Sequence, residues 1–171
     1  CGINHLDIWI RKGLKNVRFS LPHILGSDGS GTIVEIGDSI KEFMQGDDIV
    51  IQPGTFSNSC NFVKEGKENY SNNYGILGET EWGVQSEYVI LDPINVYKKA
   101  PHLSFEQAAG MQLVFMTAYQ MLVKRAELYQ HETVLIYGGA SGVGSAAIQI
   151  AKDIGATVIA TVGDKSKINY A

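Results

Sequence analysis

The hydrophobic pattern of the last third of the chain predicts a strand, a glycine-rich turn, a helix and a second strand. Val134–Tyr137 is a short apolar run with β-branched residues, which is typical of a buried strand. After the turn at 138–144, small and apolar residues open a helix that Gly155 ends. Thr157–Val162 then predicts the second strand. These segments together indicate a βαβ unit, which brings its two strands into a parallel sheet.

The glycine-rich turn is the candidate functional feature of this unit. Its sequence, Gly139-Ala-Ser-Gly-Val-Gly144, lies between a strand and a helix, which is the context in which such turns bind dinucleotides. Glycine permits a sharp turn and close approach to a pyrophosphate, and the helix N-terminus offers free N–H groups. We predict cofactor contacts from Gly139, Ser141, Gly142, Val143 and Gly144. Ser141 stands where the second glycine of the motif falls, so a purely structural turn is the alternative.

Short strands separated by turns predict a small β domain in the first hundred residues. The predicted strands are Thr32–Ile36, Ile49–Ile51, Gln85–Leu91 and Asn95–Tyr97. A long irregular stretch, 53–83, interrupts them. Asn4 or Asp7 provides a cap for a short helical turn near the start of the chain.

The pattern becomes helical after Pro101. Ser104-Phe-Glu-Gln107 reads as a capping box, and Met116–Ala126 continues with helical spacing. We therefore expect two domains, a β domain at 1–115 and the start of a nucleotide-binding domain at 116–171. The fold class is α/β plus β.

Composition and charge exclude several classes of partner. The 171 residues are 44% hydrophobic with a net charge of −4, which is ordinary for a globular protein and gives no basic surface for nucleic acid. No apolar run reaches membrane-spanning length. The two cysteines, Cys1 and Cys60, do not make a disulfide framework, and we expect a cytoplasmic protein.

The predicted parallel sheet has only two strands, which would be poorly covered. We therefore expect the chain to be a fragment that lacks an N-terminal strand and much of the nucleotide-binding domain. We also expect it to be marginally stable in isolation.

Six segments in chain order resemble motifs of the medium-chain dehydrogenase/reductase superfamily, and in particular its zinc-free quinone oxidoreductase branch. They are Asn4-x-x-Asp7-x-x-x-Arg11-x-Gly13, Leu25–Gly31, Gly46–Val50, Gly83–Tyr88, Thr117–Tyr119 and Ser141–Lys152. The resemblance implies a GroES-like β domain followed by a Rossmann doubly wound parallel sheet, here truncated. It also implies an active site in the cleft between the two domains and a homodimer for the full-length protein.

The resemblance also indicates where zinc would bind. The catalytic zinc positions read Asn4, Ser27-Asp28 and Leu113, so the thiolate and imidazole ligands that zinc prefers are missing. Of the four structural zinc positions, which read Ser57, Cys60, Val63 and Ser71, only one is a cysteine. We expect no zinc.

Residues at the end of the second strand bear on the choice of cofactor. NAD-specific folds carry an acid there, whereas this chain has Val162-Gly163. Lys165 and Lys167 follow, and Lys167 falls where quinone oxidoreductases carry a phosphate-contacting lysine. We expect NADP(H), although Asp164 in the same turn is a counter-argument.

By the same resemblance, Asn4 and Thr117 lie near the nicotinamide, and the Asn4 amide could donate to a substrate carbonyl. Thr117 could instead bond back to its own helix. Asp7 could orient Asn4 or Arg11, or only cap the helix. The implied reaction is hydride transfer from NADPH to a quinone or an α,β-unsaturated carbonyl. The alternatives are a zinc-type alcohol dehydrogenase and a non-catalytic NADPH-binding protein that serves in structure or interaction.

Overall fold

The computed structural model describes residues 1–15, 19–57 and 60–171 and divides into two compact units. The first unit is Cys1–Gln112 and the second is Leu113–Ala171. Each unit has its own hydrophobic core. Among the described residues, no helix combines the length and the apolar character that crossing a membrane requires.

A three-stranded antiparallel sheet forms the centre of the first unit. Its strands are β1 (Gly29–Thr32), β2 (Asp48–Ile51) and β5 (Val96–Lys98), in the order β1-β2-β5. A separate pair consists of β3 (Gly54–Thr55) and β4 (Gly75–Ile76). The three apolar residues of β2 are buried, because this strand has a partner on each side and supplies the core with Ile49 and Ile51.

Two of the predicted strands differ from the structure. The strand expected at Thr32–Ile36 ends at Thr32, and Ile33 beyond it exchanges hydrogen bonds with the turn at 46–47. The strand expected at Gln85–Leu91 is wrong. Its start is held instead by the loop at 24–26, where the Gln85 N–H donates to the Leu25 carbonyl at 2.9 Å. The apolar end of the segment does not join a sheet, and Ile90 is fully exposed.

Strands β3 and β4 pair within the irregular stretch, which the structure describes at 53–57 and 60–83. The rings of Phe62 and Tyr70 lie 6.0 Å apart between centroids. The buried Asn95 amide donates to the carbonyls of Gln52 and Gly54, at 2.8 and 2.7 Å. Burial, with smaller contributions from nearby Glu79 and Glu68, raises the pKa of Tyr74. Cys60 is a half-buried free thiol.

The helices follow the capping signals of the sequence. They are α1 (His5–Lys12), α2 (Asn61–Lys64), α3 (Phe105–Ala109), α4 (Gln112–Tyr119, continuing as a π-helical turn at Gln120–Arg125) and α5 (Gly142–Ile154). Short 3₁₀ helices occupy Glu68–Tyr70, Pro93–Asn95 and Lys165–Tyr170. The predicted capping box is confirmed, because the Gln107 N–H donates to Ser104 Oγ and the Ser104 N–H donates to Gln107 Oε1.

The second unit contains the predicted βαβ unit. Strands β6 (Thr133–Ile136) and β7 (Thr157–Ala160) pair in parallel, with Thr133 opposite Thr157 and Ile136 opposite Ala160. Helix α5 joins them and buries its small residues Ala146, Ala147 and Ala151 in the core. Small side chains allow the helix backbone to approach the sheet closely. The parallel arrangement brings the ends of both strands to the same edge, beside the glycine-rich turn.

Candidate functional site

Asp7 fixes the start of helix α1. Asn4 is the N-cap residue in extended backbone conformation, and its N–H donates to Asp7 Oδ2 at 2.7 Å. The other carboxylate oxygen, Oδ1, accepts from the N–H of Gly26 at 2.9 Å. Asp7 is buried, so its carboxylate both caps the helix and ties it to the loop before β1. Asp7 therefore contacts the backbone of Asn4 and holds it in place at the start of the helix.

The side chain of Asn4 reaches a second buried carboxylate. Asn4 Nδ2 donates to Asp28 Oδ1 at 2.7 Å, and Asp28 is completely buried. Gly2 makes room for this arrangement, because a Cβ there would lie 2.7 Å from Asp28 Oδ1 and 2.8 Å from the Ala109 carbonyl oxygen. Sequence reasoning gave Asn4 and Asp28 separate places in the motifs, but nothing in the sequence showed that they bond to each other.

The donor set around Asn4 does not fit zinc. The side chains at the positions in question are an amide, the hydroxyl of Ser27 and the carboxylate of Asp28, which already accepts from Asn4. Within residues 1–15, 19–57 and 60–171, no group of three or more His, Cys, Asp and Glu side chains is arranged to hold a metal ion. The absence of zinc stays a prediction that metal analysis must test.

The glycine-rich turn and helix α5 form the second candidate site. Ser141 is the N-cap residue of α5, and its Oγ accepts from the Gly144 N–H at 3.0 Å. The departure from the glycine motif at Ser141 therefore supplies a helix cap, which its residue type could have indicated. A Cβ on the buried Gly144 would overlap the Gly138 carbonyl oxygen and lie 3.0 Å from the Gly139 Cα.

Two N–H groups at the start of α5 remain available for a ligand. The first N–H groups of a helix have no acceptor within that helix. Among the described residues, those of Gly142 and Val143 have no protein acceptor, whereas that of Gly144 is used by Ser141. The helix dipole adds partial positive charge at this end. The turn therefore fits a pyrophosphate, the anionic part of a dinucleotide cofactor.

Thr117 bonds back to its own helix. Its Oγ1 donates to the Leu113 carbonyl at 2.7 Å, which is the alternative that the sequence left open. The side chain is exposed, and the lone pairs of the hydroxyl can still accept a hydrogen bond. Thr117 therefore offers an acceptor, whereas its proton is already engaged.

Residues beyond β7 close the turn and carry the charges expected to select a cofactor. The Gly139 N–H donates to the Thr161 carbonyl at 2.8 Å, and the Thr161 N–H donates to the Ile136 carbonyl at 2.9 Å. Sequence reasoning missed Thr161, since a β-branched residue at a strand end carries no distinctive signal. Lys165 and Lys167 are exposed.

Asp164 is an exposed carboxylate in the same segment. Its Oδ1 accepts from the Ser166 hydroxyl at 2.5 Å and from the Ser166 N–H at 2.7 Å. These hydrogen bonds lower the pKa of Asp164 below its usual value. The carboxylate is therefore ionised at neutral pH, next to the two lysines.

The amino-acid sequence is similar to one known protein family and to individual proteins of known activity. Residues 1–101 match the alcohol dehydrogenase GroES-like domain family. The chain is 32% identical over 158 residues to an NAD-dependent alcohol dehydrogenase of Sulfolobus acidocaldarius, covering 90% of this chain and 46% of that protein. It is 31% identical over 163 residues to the quinone oxidoreductase of Homo sapiens, covering 95% of this chain and 42% of that protein.

Solved structures show the same similarity in three dimensions. A crystal structure of an NAD-dependent alcohol dehydrogenase superposes with a TM-score of 0.94 at 43% identity, covering 98% of this chain and 49% of that one. A cobalt- and zinc-bound alcohol dehydrogenase from Pyrobaculum aerophilum has a TM-score of 0.88 at 26% identity, with 98% and 50% covered.

The chain belongs to the medium-chain dehydrogenase/reductase superfamily. Its relatives there include both quinone oxidoreductases and alcohol dehydrogenases. The chain spans about half the length of the curated relatives it matches.

Proposed function

We propose that this protein is a zinc-free oxidoreductase that transfers hydride from NADPH to a quinone or an α,β-unsaturated carbonyl, and that its βαβ unit belongs to a Rossmann-type doubly wound sheet. The observation that carries the proposal is the turn at 138–144, where Ser141 caps α5 and leaves the N–H groups of Gly142 and Val143 unbonded among the described residues. Such a turn, which follows β6 of the parallel pair β6 and β7, suits an anion.

The proposal assigns a role to each of four residues, Gly142, Val143, Thr117 and Asn4. The bound nicotinamide supplies the hydride. Gly142 and Val143 bind pyrophosphate oxygens through their N–H groups, and the exposed Thr117 hydroxyl accepts a hydrogen bond from the cofactor. Asn4 donates to the carbonyl oxygen of the acceptor and so stabilises the negative charge that develops there. A conjugated acceptor needs no metal for this step, because its own π-system takes up charge.

The preference for NADPH rests on charge beyond β7. Lys165 and Lys167 are exposed cations, and an ammonium beside a phosphate dianion makes a charge-assisted pair. No carboxylate occupies Val162-Gly163, where it would repel the 2′-phosphate. The resemblance to quinone oxidoreductases assigns the phosphate contact to Lys167.

One observation favours a second candidate, an NAD-dependent alcohol dehydrogenase. Asp164 is ionised and fixed by Ser166, and a carboxylate in this segment suits the 2′-hydroxyl of NADH better than a phosphate. The Sulfolobus acidocaldarius relative and the crystal structure described above are both named as NAD-dependent alcohol dehydrogenases. The two candidates differ in cofactor, so binding separates them.

The deciding experiment is a fluorescence titration of the complete natural protein with NADPH and with NADH. We expect tighter binding of NADPH, and we expect Lys167→Ala to weaken it about tenfold, the equivalent of about 1.4 kcal/mol. Lys152→Ala is the matched control, because Lys152 is an exposed lysine in the last turn of α5, at the helix end away from the glycine turn.

Binding of NADPH would be followed by a panel of quinones and enones. A preference for NADH that Asp164→Asn reduces would support the alcohol dehydrogenase instead. Bound zinc in the purified protein would argue against a metal-free reaction. If neither nucleotide binds, the glycine turn is structural and the proposed function fails.

A further inference from the structure

The buried pair Asn4–Asp28 has a consequence for the chemistry of Asn4. Asp28 is completely buried, and its Oδ1 accepts from Asn4 Nδ2 at 2.7 Å. We propose that Asp28 is a positioning residue that fixes the rotation of the Asn4 amide, so that Asn4 presents its second N–H to the acceptor oxygen. This inference rests on the function proposed above for Asn4.

The direction of the amide follows from the chemistry of the two groups. Asp28 Oδ1 accepts the hydrogen bond that Asn4 Nδ2 donates, and an amide has a donor end and an acceptor end. The Asn4 side chain must therefore turn its NH₂ group toward Asp28, where one of the two N–H bonds is used. An amide at position 28 would impose no such direction, because it can pair with either end of Asn4.

Hydrogen bonds also hold the backbone around the Asn4–Asp28 pair. The Gly2 N–H donates to the Asp28 carbonyl at 2.9 Å, and Asp7 bonds the N–H groups of both Asn4 and Gly26. Residues 2–7 are thus bonded to the loop before β1 at three places, through Gly2 and Asn4 to Asp28 and through Asp7 to Gly26. Gly2 leaves the space that the Asp28 carboxylate fills. Such multiple fixing holds a donor in a productive direction before the acceptor arrives.

The test compares Asp28→Asn with Asp38→Asn in the complete natural protein. Both substitutions turn a carboxylate into an amide of the same shape, but Asp38 is exposed in a turn of the same unit. For Asp28→Asn we expect kcat to fall by about tenfold or more, while the cofactor Kd stays within about twofold. The control should change neither value.

A readout without turnover is the side-chain amide signal of Asn4 in a protein labelled with ¹⁵N-asparagine, assigned with Asn4→Ser. We expect one amide proton shifted downfield and protected from solvent exchange, and we expect both properties to be lost in Asp28→Asn and kept in Asp38→Asn. A purely structural role for Asp28 would lower the unfolding temperature and kcat together and would leave the signal of the folded variant unchanged.

A double variant covers the case in which Asp28→Asn does not fold. Asn4→Asp combined with Asp28→Asn restores a hydrogen bond of opposite polarity, in which position 4 has no donor. Recovered stability with low kcat supports the proposal, and recovery of both overturns it. Wild-type kcat in a stable Asp28→Asn also overturns it. If the wild type reduces no acceptor, the proposed function fails, and the amide signal still decides whether Asp28 orients Asn4.

Discussion

Ser27 has a buried hydroxyl beside the Asn4–Asp28 pair. The residue is completely buried, and among the residues that the structure describes its Oγ has no hydrogen-bond partner. Leaving a buried hydroxyl without a partner costs about 1–3 kcal/mol. The hydroxyl therefore opposes folding at this position, whereas the small side chain allows the loop at 26–28 to pack.

Removing that hydroxyl should not destabilise the protein. We expect Ser27→Ala to leave the free energy of unfolding unchanged or to raise it by about 1 kcal/mol, because the orphan group disappears and the volume hardly changes. Denaturant unfolding measures this. Ser71→Ala is the comparison, since the buried Ser71 accepts from the Asn73 N–H and should lose stability. A loss of stability in Ser27→Ala would mean that its hydroxyl has a partner.

The sequence predicted the members of this cluster but not their pairing. The motif near the start indicated Asn4 and Asp7, and the cap that Asp7 provides follows from spacing along a helix turn. The bond between Asn4 and Asp28 joins residues 24 positions apart. Such a contact depends on how a loop folds against a helix, which no local pattern encodes.

Among the elements, the glycine-rich turn depends on close backbone packing as much as on its N–H groups. Gly144 is buried where helix α5 meets the turn, and a Cβ there would overlap the Gly138 carbonyl. In contrast, a Cβ on Gly163, just beyond β7, would meet nothing within 4 Å. Glycine is therefore required sterically at position 144, whereas position 163 has room for a larger side chain.

We expect Gly144→Ala to lower the free energy of unfolding by about 2 kcal/mol or more and to abolish nucleotide binding, because the helix must move away from the turn. Gly163→Ala should keep the free energy of unfolding within about 0.5 kcal/mol, because an added Cβ there meets nothing within 4 Å. Nucleotide fluorescence titration and thermal unfolding of the two variants provide the measurement. Normal nucleotide binding by Gly144→Ala would contradict the conclusion that the turn has no room for a Cβ at position 144.

Elements with strong local signals were predictable, and short strands were not. Helix α5, the capping box at Ser104 and strand β6 each combine a hydrophobic pattern with a start or stop residue. The segment 85–91 ends in four apolar residues, two of them β-branched, as a short strand can, but its beginning bonds to a loop and Ile90 is fully exposed. Over so few residues, an apolar run does not distinguish a strand of a sheet from an extended loop.

At the scale of the whole molecule, the two units differ in how their sheets are covered. In the first unit β2 is flanked on both sides, and its apolar residues are buried. In the second unit the sheet consists of β6 and β7, and Leu135 and Ile159 are 50% and 54% exposed. Protection of backbone amides follows burial and the number of partner strands.

Hydrogen–deuterium exchange of this 171-residue polypeptide should reveal the difference. We expect amides of β6 and β7 to exchange at least about tenfold faster than those of β2, because a two-stranded sheet with one exposed apolar face opens at low cost. Mass spectrometry of peptides covering each strand measures the rates. Equal protection in both units would show that the small sheet is as stable as the larger one.

Thr161 joins two segments that are usually treated as separate. Its carbonyl holds Gly139 in the glycine-rich turn, to which our proposal assigns the pyrophosphate, while Asp164 to Lys167 after it carry the charges that face the ribose in the same proposal. A change that shifts the chain beyond β7 therefore also shifts the turn. To change the nucleotide preference of this protein, segments 138–144 and 161–167 should accordingly be grafted together. Either segment alone would lose the hydrogen bond between Gly139 and Thr161.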